Sequence, residues 1–135
     1  MNFTAVNFLA ILVSGIAYMV VGFLWYGPLF AKPWMALVGF TEEDLRRGAN
    51  PAMYLLTFVG ALVAAYILAL FISAAQMTTL VGGLEVGVLA GLGFVVPTFG
   101  ANYIFLRRPL KLYLIDVGYQ VVSLVIGGAI LGIWR

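Results

Sequence analysis

The chain has 135 residues, of which 64% are hydrophobic and 9% charged, with a formal net charge of +2. A soluble domain is about 45–50% apolar and about 25% charged, so this composition excludes a water-soluble globule and a disordered chain alike. The absence of Cys removes disulfides and thiolate ligands, and the absence of His removes the commonest metal ligand and general base. A charge of +2 gives no argument for nucleic acid. An integral membrane protein of the all-α class remains.

A bilayer core of roughly 30 Å needs about 20 mostly apolar residues as helix. Stretches of that kind run over about 5–26, 51–73, 79–106 and 109–134. None alternates as a barrel strand would, so the expected fold is one domain over 1–135, a bundle of four transmembrane helices. The first stretch has no basic leading region and is read as a retained span rather than a signal peptide.

Along the chain, Gly27-Pro28 is expected to end the first span, since Pro does not continue a helix easily. Pro33 then opens a short amphipathic segment that runs to Val38 and is closed by Gly39. Thr41 and Asp44 have the spacing of a capping box, with Glu42 and Glu43 in the first turn, Arg46 and Arg47 near the end and Gly48 as the stop. That capped start accounts for the three acids, which diverge around the helix and do not converge on a metal. No metal or cofactor is expected. Asn50-Pro51 reads as an N-cap followed by Pro in the first helical position, opening the second span.

Small residues recur four apart: Ala61, Ala65 and Ala69 in the second span, Gly83, Gly87 and Gly91 in the third, and Gly128 and Gly132 in the fourth. Such ladders let backbones approach where lipid removes the hydrophobic drive, and the partner is either another span or another copy. In so small a bundle they point to a homo-oligomer or to docking on a larger membrane complex. Pro97 removes the hydrogen bond to residue 93, which predicts a kink in the third span. If that helix starts at Gly82-Gly83, Glu85 falls in its first turn, where the dipole favours an acid near water. Otherwise Glu85 is a secondary candidate site. Asn102 is expected to bond a neighbouring helix.

Connections 27–50 and 107–111 hold Lys32, Arg46, Arg47, Arg107, Arg108 and Lys111, and the other side has only Arg135. The positive-inside rule puts both connections in the cytoplasm and both termini outside, with the basic residues meeting anionic headgroups of the membrane lipids. Trp25, Tyr26, Trp34 and Tyr113 would form the inner aromatic belt and Trp134 the outer one.

The fourth span carries one polar stripe, Asp116, Tyr119, Gln120, Ser123 and Gly127, and the first a weaker one, Asn7, Ser14, Tyr18 and Trp25. Hydrocarbon offers polar groups no partner, so the two stripes are expected to face each other. Asp116 lies seven residues past Pro109, roughly 10 Å into the span at 1.5 Å per residue. A carboxylate at such depth costs about 2.5–3.5 kcal/mol on insertion scales and usually faces a bundle interior or a wet cavity. One reading makes Asp116, Gln120 and Tyr18 a cation or proton site. The other makes Asp116 a structural acid that ties helices together or reaches Arg107, Arg108 or Lys111.

Two clusters carry a family likeness: Asn7…Trp25-Tyr26…Phe30…Trp34…Gly39, and Arg107…Asp116-x-Gly118-Tyr119…Gly127…Ile130-Leu131…Trp134. With them the chain resembles, over nearly its whole length, the bacterial membrane family called domain of unknown function 1761. The resemblance implies a four-helix inner-membrane protein and brings no activity with it. Ala31 stands where that family is expected to carry Gly, Leu106 where an acid is frequent and Gln120 where His is common. The last two departures weaken a proton relay at that end. Two functions are therefore carried forward, a small oligomeric carrier or channel for a proton, cation or small solute, and a non-catalytic accessory subunit. An enzyme is not expected, because no nucleophile–base pair or metal set appears.

Overall fold

The computed structural model describes residues 2–134, in which no strand occurs. Its helices in chain order are α1 (Phe8–Leu29), α2 (Ala31–Val38), α3 (Glu42–Gly48), α4 (Pro51–Ala74), α5 (Leu80–Phe105) and α6 (Leu110–Ile133). Four of them, α1, α4, α5 and α6, are long and apolar enough to cross a membrane. Arg135, the lone basic residue assigned to the far side, lies outside the described residues.

Local chemistry sets most of the boundaries. The Thr41 hydroxyl accepts the Asp44 N–H at 3.1 Å, and the Asp44 carboxylate accepts the Thr41 N–H at 2.9 Å, so the capping box forms. Asn50 accepts the Ala52 N–H at 2.9 Å and Pro51 follows it as expected. Gly39 closes α2 with φ of 91°, a left-handed conformation that favours glycine. At α5 the cap is Thr79, whose hydroxyl accepts the Gly82 N–H at 2.9 Å. The helix therefore starts before Gly82-Gly83, and Glu85 sits in the second turn, exposed, rather than in the first.

The two prolines that lie beyond the first turn of a span, Pro28 and Pro97, fall in or just after widened turns. The first span does not end at Gly27-Pro28. It runs on through a π turn, Trp25–Leu29, in which the Phe30 N–H reaches the Trp25 carbonyl at 2.9 Å. A π turn already displaces the usual ladder, so the N–H that Pro28 lacks is not missed there. In α5 a second π turn, Gly91–Val95, precedes Pro97, where the kink is expected.

The hub is α6, which packs against α1, α4 and α5. Its tightest neighbour is α5. A Cβ on Gly83 would fall on the Gly128 carbonyl, one on Gly132 on the Thr79 carbonyl, and one on Gly87 would lie 2.5 Å from the Leu124 oxygen. The two backbones touch. On the other flank Ala61, Ala65 and Ala69 are buried in the core with Ala10, Ile11, Leu68 and Leu131. The partner of each ladder is thus another span of the same chain, and the ladders give no argument for a second copy.

Candidate functional site

The carboxylate of Asp116 collects donors from three other elements. The Tyr26 hydroxyl, in the π turn of α1, donates to Oδ1 at 2.7 Å. The Trp34 indole N–H, on α2, donates to the same oxygen at 3.1 Å, and the Tyr103 hydroxyl, on α5, donates to Oδ2. Hydrogen bonds to a charged group are worth about 1.5–3 kcal/mol each, enough together to offset the cost of placing the acid at this depth. Among the described residues the one ion pair is Arg47–Glu43, at 2.5 Å on exposed α3. Asp116 therefore has no partner in Arg107, Arg108 or Lys111. Its hydrogen-bond partners are three neutral donors.

This clasp corrects the aromatic belt. Trp25, Tyr26, Trp34 and Tyr113 direct their polar atoms into the protein rather than toward headgroups. Trp25 donates to the Ile115 carbonyl at 2.8 Å and Tyr113 to the Val96 carbonyl at 2.6 Å. Glycines admit the rings. A Cβ on Gly118 would come 2.8 Å from Trp25 Cζ2, and one on Gly22 would come 3.2 Å from the Tyr119 hydroxyl. The Tyr26 ring meets that of Tyr119 at 5.4 Å between centroids and that of Trp34 at 5.6 Å.

The two polar stripes do face each other, but with different roles from those expected. Tyr18 is buried and does not bond Asp116. Its backbone carbonyl accepts the Tyr119 hydroxyl at 3.0 Å, and the two rings meet edge-on at 6.3 Å. Gln120 is half-buried and makes no side-chain hydrogen bond among the described residues. Asn102 makes none either and is exposed, because the inward place at this level belongs to its neighbour Tyr103. Asn7 is the N-cap of α1, accepting the N–H groups of Leu9 and Ala10 at 3.0 and 3.1 Å. It also lines a cavity of about 370 Å³ at the far end of the bundle, with Ser73, Thr78 and Trp134.

Ser14 and Ser123 stand apart. Both are buried, at 0% and 1% exposure, and neither hydroxyl has a hydrogen-bond partner among the described residues. Gly127 adjoins them: a Cβ there would lie 4.0 Å from Ser14 Cβ and from the Tyr18 ring. The polar groups thus run from the Asp116 clasp through Tyr119 and Tyr18 to two unpartnered hydroxyls. Beyond these the core is closed by Ala10, Ile11, Leu68 and Leu131.

Sequence reasoning missed Tyr103 as a site residue and placed Tyr26 and Trp34 in the belt. A signal for the latter two was present, since they recur with Asp116 in the motif pair that carries the family likeness. No curated protein and no solved structure matches the chain. The family model described as protein of unknown function (DUF1761) matches residues 9–132, nearly the whole chain, and the protein belongs to that family.

Proposed function

We propose that the protein is a small carrier for a cation or proton, with Asp116 as the accepting group near the cytoplasmic end. One observation carries this reading: a carboxylate without a cationic partner among the described residues opens a line of polar groups that ends in the unpartnered Ser14 and Ser123 hydroxyls. A buried hydroxyl without a partner costs about 1–3 kcal/mol, and a polar group kept inside a membrane bundle is by default a candidate for function. The departures at Leu106 and Gln120 favour a cation over a proton relay. The buried apolar layer beyond Ser14 closes this line of polar groups at the end away from Asp116. The test is flux in reconstituted vesicles under an imposed cation or proton gradient. The wild-type chain should exceed empty vesicles, and Asp116→Asn should abolish the excess while remaining folded. Equal flux in both proteins, or none in either, would remove the carrier reading.

A second reading, an accessory subunit in a larger membrane complex, is favoured by the three donors on Asp116, which is how a purely structural staple would be satisfied. Stoichiometric co-purification with a larger complex supports it, and a self-contained homo-oligomer in mild detergent supports the carrier. Either reading places the protein in a bacterial inner membrane with the basic connections in the cytoplasm. Single cysteines at exposed Ala36 and Ala75 should then be labelled from opposite sides, Ala75 from outside.

A further inference from the structure

A cleft of about 370 Å³ lies on the flank of the bundle between α1 and α4, beside the clasp. Aromatic rings form its walls: Phe23 against Tyr54, with centroids 6.0 Å apart, and Tyr26 against the buried Tyr119. Gly27 keeps it open. Nothing lies within 4 Å of a Cβ built at Gly27. The mouth opens on the outer flank of the bundle, with Phe23 59% and Tyr54 51% exposed in two segments long and apolar enough to cross a membrane. No Lys or Arg lines it, and the hydroxyl of its Tyr26 wall bonds the Asp116 carboxylate.

Aromatic faces carry negative potential and attract cations, most strongly where water is excluded. A carboxylate one hydrogen bond behind the wall adds charge of the same sign, while the open flank admits ligands from the bilayer rather than from water. We propose that this cleft binds a lipophilic organic cation, an aromatic or quaternary onium ion that enters sideways from the membrane. The inference rests on the carrier reading and gives it a substrate class. An acyl chain of a lipid would fit an apolar groove too, but it would gain nothing from the carboxylate.

The test is equilibrium binding to the purified full chain in neutral detergent, with tetraphenylphosphonium and tetraphenylborate as probes of matched shape and opposite charge. The phosphonium should bind saturably and the borate should not. Gly27→Leu places its Cβ in open space, so it should keep the melting temperature while filling the cleft, and it should weaken phosphonium binding by roughly tenfold or more. Equal binding of both ions would mark a general apolar groove and overturn the proposal, as would full binding by a folded Gly27→Leu. If that variant fails to fold, the comparison of the two ions on the wild-type chain still decides. Phosphonium binding without flux would retain this site and remove the carrier. Asp116-dependent proton or metal-ion flux without phosphonium binding would do the reverse.

Discussion

Glycine has opposite consequences on the two flanks of the bundle. Along α5 and α6, Gly83, Gly87, Gly128 and Gly132 bring two backbones into contact, and no side chain fits between them. Toward the end of α1, Gly27 leaves a cleft, and a Cβ there would meet nothing within 4 Å. The spacing separates the two cases. Residues four apart share a face of an α-helix and form a seam. Gly22 and Gly27 are five apart, and the π turn at Trp25–Leu29, with its five-residue hydrogen bonds, lets both line the same space. One flank is a closed seam, and the other holds the cleft.

The contrast can be broken at the seam first. Gly83→Leu should cost 3 kcal/mol or more, at or beyond the upper end of the roughly 1–3 kcal/mol typical of overpacking, because the obstacle is backbone. An unchanged melting temperature would mean that the two helices are not in contact. A smaller effect of opposite sign is expected in the core. Ser123→Ala removes a hydroxyl without a partner and should stabilise the fold by up to about 1 kcal/mol. If Ser123 belongs to the carrier path, flux should fall as stability rises. At exposed Gly60, where a Cβ would meet nothing within 4 Å, Gly60→Leu should leave stability within about 0.5 kcal/mol.

The smallest effect lies outside the membrane, at α3. The Thr41 backbone N–H, helped by its hydroxyl, holds the Asp44 carboxyl below its ordinary value. A lowered carboxyl stabilises the folded form above the unfolded value of about 3.9 and loses that contribution as pH falls through the folded one. Amide exchange in the first turn of α3, measured relative to the intrinsic rate at each pH, should therefore be faster in acid. Thr41→Ala should already show the faster exchange at neutral pH.

Much of the fold was legible in the sequence because the relevant physics is local or periodic. Span lengths follow from bilayer thickness, the caps at Thr41 and Asn50 from side chains two or three residues away, and the seam from a repeat of four. Asp116 was legible as an interior acid because hydrocarbon penalises it anywhere else. Its donors were not. Tyr26 and Trp34 are 90 and 82 residues away, and an aromatic near a helix end has the same local signature whether it faces lipid or protein. Tyr103 lies 13 residues away across the basic turn, and only the docking of α5 on α6 turns it toward Asp116. Pro28 misled for a different reason: the stop rule assumes an α-helical ladder, and here the turn is a π turn.

The central claim is that the Asp116 carboxylate ties α1, α2 and α5 to α6 through three donors. A double-mutant cycle on Trp34→Phe and Asp116→Ala, read as unfolding free energies in one detergent, tests it most directly. Each single change should destabilise, and the pair should cost less than the sum by about 1–2 kcal/mol, the coupling of residues that share a hydrogen bond. Additivity within about 0.3 kcal/mol would mean that the indole and the carboxylate act independently, which would contradict the clasp.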